Sequence, residues 1–229
     1  VWLGEEADPN WFPPLDQALR EPPGLLAAGG DLSPTRLLAA YERGVFPWYS
    51  AQQPILWWSP DPRMVLFPDE FKCSRSLTKT LRHGPFVTRL DHAFSATIRG
   101  CAAPRRSGPD TWLNEEMIAS YDQLHELGFG HSVETYRDQK LVGGLYGIQL
   151  GQVFFGESMF SLERDASKVA LARLVEECRA RDIKVIDCQV ASPHLAGLGA
   201  REVSRGQFVA LLRQFAKREP TLKWAASTE

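Results

Sequence analysis

Apolar and polar positions change their period along this chain, and the change divides it. From Asn114 the pattern is regular. Asn114 precedes a helical run that reaches Leu127 and stops at Gly128, the start and stop signals of a helix. Three strand-like runs follow: His131 to Arg137, Leu141 to Gln149, and Gln152 to about Glu157. Asp138-Gln139 and Leu150-Gly151 give tight connections between them, which predicts an antiparallel meander. Val169, Leu174, Val175 and Cys178 then fall on one side of a helix from about Ala166 to Arg181. Ile183 to Val190 is a fourth strand. Ser192-Pro193 opens a short helical segment that ends near Gly197 or Gly199. Ser204 and Gln207 form an S-x-x-Q capping box for a helix to about Lys217. This order predicts an α/β or α+β arrangement around a mixed sheet, and α+β is the class expected here.

Before residue 64 the pattern breaks up. Pro13, Pro14, Pro22, Pro23, Gly24, Gly29, Gly30, Pro47, Pro54, Pro60 and Pro62 mark turns and irregular segments. One helix stands out from Pro34 to about Arg43, with Ser33 as N-cap, Pro34 at the first helical position and Gly44 past its end. Phe46, Trp48, Tyr49, Trp57 and Trp58 follow it. Most of these aromatics are expected in the core of a small domain, and some on a concave face where Trp can stack bases. The expected division is an N-terminal Pro/Trp-rich domain over residues 1–63 and a mixed-sheet domain over 64–229.

The 229 residues are 44% hydrophobic and 24% charged, which is enough to bury a sizeable core. No apolar run approaches the ~20 residues of a membrane span, and the first residues do not read as a basic-then-apolar leader. A cytoplasmic protein with no membrane partner is the expectation. Cys73, Cys101, Cys178 and Cys188 are scattered without a CxxC pair, so free thiols are expected. The five histidines form no ligand pair, and no metal is expected. The net charge of −2 hides a polarity: Phe71 to Pro109 carries eight bases and one acid. Lys72, Arg75, Lys79 and Arg82 are spaced to stack on one side of a helix that Ser74 or Ser76 can cap and Gly84 can end. A solvated basic face is the plain interpretation. A like-charged cluster on an acidic chain also suits an anionic partner, such as a small folded nucleic acid.

Two apolar runs carry polar groups that are costly to bury without partners. In IDCQV, Ile186 to Val190, strand alternation places Asp187 and Gln189 on one face. In FFGESMFS, Phe154 to Ser161, Glu157 and Ser158 end the preceding strand and can meet them across a cleft. Phe154, Phe155, Met159 and Leu145 are either core or the walls of a pocket beside that cleft. Gly143, Gly144 and Gly147 interrupt a strand, the mark of a bulge or a close approach. Phosphate loops and nucleophile elbows are absent. The chemistry therefore rests on an acid and an amide and suits a reaction of low intrinsic barrier.

GLLAAGGDLSPTRLLAAYERGVFPWYS (Gly24 to Ser50), ILWWSPDPR (Ile55 to Arg63), LVGGLYGIQLG, FFGESMFS, DASK (Asp165 to Lys168) and IDCQV occur in order through nearly the whole chain. In these runs it resembles the leucyl/phenylalanyl-tRNA–protein transferases. The resemblance implies a GNAT-like catalytic domain, no cofactor, and transfer of Leu or Phe, with Met as a further candidate, from aminoacyl-tRNA. The acceptor would be the N-terminal Arg or Lys of a protein or peptide, which becomes an N-degron for proteolysis. By the resemblance Asp187 accepts or relays the proton through Gln189, and Glu157 holds the amino acid's ammonium or the terminal ribose. Trp48, Trp112 and Phe154 would surround the 3′-terminal adenosine. Leu145, Met159, Leu171 and Cys178 would surround the transferred side chain, with Cys178 where a larger aromatic can stand in the family. Lys72, Arg75, Lys79 and Arg82 would hold tRNA phosphates, and a monomer is expected. SLERDASK lacks the [QR]xxGx[GA] loop of acetyl-CoA enzymes. Two other classes compete: an N-acyltransferase with a thioester donor, and a non-catalytic tRNA- or peptide-binding module.

Overall fold

The computed structural model describes residues 1–229 except 5, 51, 104–112, 222 and 225–229. Short strands β1 (Trp2–Leu3), β2 (Leu25–Gly29), β3 (Phe46–Pro47) and β4 (Leu56–Trp58) form a four-stranded sheet in the order β1-β2-β4-β3. Apart from one helix, the sequence pattern predicts only turns and irregular segments here, because strands this short carry no readable alternation. Trp57 is the anchor of this sheet: it is fully buried, donates Nε1–H to Gly29 O at 2.8 Å and meets the Phe12 ring edge-on at 5.0 Å. Helix α1 (Pro34–Glu42) sits between β2 and β3 as its caps require, with Ser33 Oγ accepting from Arg36 N.

The second sheet has seven strands in the order β11-β5-β10-β9-β8-β7-β6. They are β5 (Arg63–Leu66), β6 (Val87–Leu90), β7 (Gly130–Arg137), β8 (Lys140–Leu150), β9 (Val153–Ser161), β10 (Val185–Gln189) and β11 (Arg201–Val203). The meander β7-β8-β9 is antiparallel, as its turns predict. Helix α2 (Arg75–His83) precedes β6, and α3 (Phe94–Ala102) and α4 (Glu115–Glu126) lie between β6 and β7. Helix α5 (Ala166–Ala180) links β9 to β10, which run parallel. Chain reversal through a helix is what a parallel pair needs. Helices α6 (Pro193–Gly197) and α7 (Arg205–Phe215) follow, and α7 carries the expected capping box of Ser204 and Gln207. One sheet face packs on α1, α3, α4 and α7 through Tyr41, Ile98, Tyr121 and Phe208. The other packs on α5 and α2 through Leu171, Leu174 and Leu77. None of the helices among the described residues is long and apolar enough to cross a membrane.

Several sequence expectations shift. Ser74 caps α2, so Lys72 lies before the helix, where its backbone N–H donates to Leu198 O. Strand β9 runs on to Ser161, so Glu157 sits inside it instead of ending it. It is also a bulge: Tyr146 pairs with Ser158 and Gly147 with Gly156, which leaves Glu157 as the extra residue. Gly147 is required at this kink. A Cβ there would stand 2.2 Å from Phe155 O and 2.6 Å from the Phe154 ring. Gly147→Ala should therefore lower unfolding free energy by about 1–3 kcal/mol in urea titration, with an unchanged m-value.

Candidate active site

Strands β9 and β10 share three register pairs, the last of which is Asp187 with Phe155. Past that point each strand bulges. Glu157 is the extra residue of β9, and Cys188 is the extra residue of β10 against β5. Gln189 follows in a left-handed conformation, φ +63°, which costs a non-glycine residue free energy and is often retained at functional sites. The two strands separate and a cavity of about 430 Å³ opens between them. The bulge corrects the simple alternation expected for Asp187 and Gln189, because an extra residue stands between their pairing partners.

Asp187 is completely buried and forms a bidentate ion pair with Arg63, which is 1% exposed. Arg63 Nε donates to Oδ1 at 2.8 Å and Nη2 to Oδ2 at 2.7 Å, while Nη1 donates to Gly44 O at 3.1 Å. The faces of Phe46 and Phe208 each lie 4.7 Å from the guanidinium carbon. Oδ1 also accepts the Gln189 backbone N–H at 2.9 Å. Both oxygens of Asp187 are therefore committed, and the carboxylate acts as an anchor for the bulge.

Gln189 turns its amide towards Glu157 and donates Nε2–H to Oε1 at 2.9 Å. Oε2 of Glu157 accepts from Tyr121 Oη at 2.9 Å, and Tyr121 Oη is 2.6 Å from Tyr41 Oη. Burial pushes the Glu157 carboxyl up to about 7; the Tyr41 and Tyr121 hydroxyls pull it down, and the Asp187 charge raises it further. Burial, then the charge of Glu157, holds both tyrosines well above their ordinary range, so they stay neutral. Burial also pushes the Cys188 thiol up, although it lines the cavity, so it is no thiolate nucleophile. The arrangement offers one acid that titrates near neutrality beside one amide, next to an apolar wall.

That wall comprises Leu145, Met159, Leu171, Leu174 and Ile186. Trp48, 46% exposed, also lines the cavity, with the Trp58 ring 5.7 Å away between centroids. Of the residues singled out from sequence, the cavity thus gathers Asp187, Gln189, Glu157, Trp48, Leu145, Met159 and Leu171. Phe154 and Cys178 are fully buried and do not line it. Trp112 lies outside the described residues. Lys72, Arg75, Lys79 and Arg82 are exposed and away from the cavity lining. Arg63, Tyr121 and Tyr41 were missed. Arg63 at the head of the apolar run MVL was a legible signal, since a buried guanidinium needs a carboxylate. The tyrosines read as ordinary helix core. Among the described residues, no three His, Cys, Asp or Glu side chains gather as metal ligands.

Residues 65–213 match the family model described as leucyl/phenylalanyl-tRNA protein transferase, and residues 30–61 match the model of that family's N-terminal domain. Among curated relatives, a leucyl/phenylalanyl-tRNA–protein transferase of Nitrosospira multiformis is 53% identical over 229 residues, covering 100% of this chain and 97% of its own. One of Azoarcus sp. is 55% identical over 228 residues, covering 99% and 96%. Solved structures include a GCN5-related N-acetyltransferase from Kribbella flavida, with TM-score 0.40, 11% identity and coverage of 75% of this chain and 61% of that one. The protein is a transferase. It belongs to the leucyl/phenylalanyl-tRNA protein transferase family.

Breaking the central ion pair from one side should be more harmful than removing it. Arg63→Met leaves a buried carboxylate unpaired and should cost about 3–5 kcal/mol in urea unfolding. Combining it with Asp187→Leu should recover more than half of that loss. Additive losses in the double variant would refute the pairing.

Proposed function

We propose that this transferase moves Leu or Phe, with Met as a further donor residue, from aminoacyl-tRNA to the N-terminal Arg or Lys of acceptor proteins. The new peptide bond would create an N-degron for proteolysis. The observation that carries the reading is the Glu157–Gln189 pair set at the edge of an apolar cavity, in a chain more than half identical to transferases so named. The enzyme is read as a cytoplasmic monomer, with residues 1–63 as the N-terminal domain and 64–229 as the catalytic one.

An aminoacyl ester is already activated, and an α-amine of pKa ~7.7–8.0 is partly neutral near pH 7. Positioning and one proton acceptor can therefore supply most of the catalysis. The amine nitrogen attacks the ester carbonyl, the bond from that carbon to the ribose oxygen breaks, and the amine's proton ends on the ribose hydroxyl. We assign the transit of that proton to Glu157, whose carboxyl titrates near 7. Gln189 orients the amine through its amide oxygen. Asp187, expected from sequence to take the proton, is given a positioning role because both of its oxygens are held by the charged guanidinium of Arg63, whereas those of Glu157 accept only from neutral groups. Leu145, Met159 and Leu171 would enclose the transferred side chain, with Phe154 and Cys178 beneath them. Trp48, together with Trp112, would stack on the terminal adenosine. Arg75, Lys79 and Arg82 lie at i, i+4 and i+7 of α2, exposed, and with Lys72 would face tRNA phosphates.

Labelled Phe transfer from charged tRNA to a peptide beginning with Arg tests the reaction, with an N-acetylated peptide as control. Transfer to the free amine alone is expected. Glu157→Gln should lower kcat about 10²–10⁴-fold. In the unmodified enzyme kcat should rise as pH increases through about 7, because only the ionised carboxylate accepts a proton. Glu157→Gln should lose that limb and keep only the later rise that the acceptor amine itself gives at about 7.7–8.0; an unchanged limb near 7 would assign the proton elsewhere. Lys79→Glu with Arg82→Glu should weaken tRNA binding and flatten its salt dependence, and an unchanged slope would move the tRNA contact to another face.

A further inference from the structure

The apolar side of the cavity backs onto a residue near the end of the chain. Leu171 and Leu174 of α5 belong to the wall, and Cys178 follows Leu174 one helical turn further along the same stripe. On the sheet, Phe154 lies beside the wall residue Ile186 in the parallel register of β9 and β10. Phe154, Cys178 and Trp224 share one buried cluster with the wall but do not line the cavity. The Trp224 ring centroid is 5.5 Å from that of Phe154. Phe154 and Cys178 thus adjoin the wall residues Ile186 and Leu174, and Trp224 adjoins Phe154.

Trp224 is held firmly. It is 1% exposed. Its backbone N–H donates to Asp91 Oδ2 at 2.7 Å, and its indole Nε1–H donates to Gln149 Oε1 at 3.0 Å. Its ring stacks on His131 at 4.5 Å and 6°. The His131 ring is itself fixed, Nδ1 by Asp91 at 2.8 Å and Nε2 by the Thr221 hydroxyl at 2.7 Å. A buried indole with its N–H satisfied and one face stacked has little freedom to yield. Cys178, by contrast, is a small side chain that fills little of the space below the wall. The rigid stop behind Phe154 is Trp224.

We infer that Trp224, acting through Phe154, sets the depth of the aminoacyl side-chain pocket and so limits which bulky apolar aminoacyl groups are accepted. This rests on the donor reading given under Proposed function. Trp224 does not line the cavity; it is a positioning residue for specificity. Removing its ring leaves a void that the Phe154 ring can enter. The pocket then deepens, and a large side chain gains more than a small one.

The test compares kcat/KM for tRNA charged with Leu, Phe and, by misacylation, Trp, with one acceptor peptide. Trp224→Ala should raise the Trp:Leu ratio about tenfold or more, and Trp224→Phe should keep the ratio close to that of the unmodified enzyme. Should thermal melting show Trp224→Ala unfolded, Phe154→Leu with Trp224 in place must move the ratio in the same direction. Unmoved ratios in a folded variant, or an equal fall for all three donors, would overturn the inference. An unmodified enzyme that transfers none of the three would overturn the donor reading and this inference with it. An active unmodified enzyme with unmoved ratios overturns this inference alone.

Discussion

Arg63 and Asp187 meet where β5 joins β10, both buried, and the geometry around the cavity hangs on that contact. Taking two charges out of water costs several kcal/mol per ion, and only well-formed partners offset it. Here the offset comes from two parallel N–H···O bonds, a third bond from Arg63 to Gly44 O, and two aromatic faces. Those partners come from the turn after α1, from β3 and from α7. One guanidinium thus ties the small sheet's neighbourhood and the last helix to the middle of the large sheet. The carboxylate in turn holds the backbone of Gln189 in its left-handed conformation. A hydrophobic pair of similar volume could fill the space, but it could not direct the next residue.

The second constraint is the pair of bulges. A regular ladder would continue β9 against β10 and close the sheet. One extra residue in each strand, Glu157 and Cys188, turns the two backbones apart instead. Gly147 makes the first bulge possible because it leaves room for the Phe155 carbonyl and the Phe154 ring. Glu157 is 9% exposed at the cavity's edge, where desolvation outweighs the tyrosine hydrogen bonds and the carboxyl titrates near 7. Asp187, a short distance along the same sheet, is committed to Arg63. Two acids in one strand environment are thereby given separate tasks, one as anchor and one as proton acceptor in the mechanism proposed above.

Much of the local structure is determined within short windows of sequence. Ser33, Asn114 and the Ser204/Gln207 box start helices where they stand, since a cap acts on backbone groups two or three residues away. The meander β7-β8-β9 and the stripe of α5 follow from periods of two and 3.6. The long motif runs carried the family, and the polar residues inside apolar strands marked Glu157, Asp187 and Gln189 as members of one cavity.

Tertiary structure decided the rest. Arg63 finds Asp187 across 124 residues of sequence, a pairing that no local period encodes, and that partner changes what Asp187 can do. The neutral-range acidity of Glu157 depends on Tyr121, Tyr41 and the depth of burial, none of which is local to it. Phe154, by sequence either core or pocket wall, is core with the Trp224 ring against it, and Lys72 falls outside the helix because Ser74 caps it. Sequence alone fixes which residues prefer a helix, a strand or an apolar side, because those preferences are properties of short backbone segments. Which acid is neutralised, which one titrates and how deep the pocket reaches are set by distant groups sharing one desolvated volume.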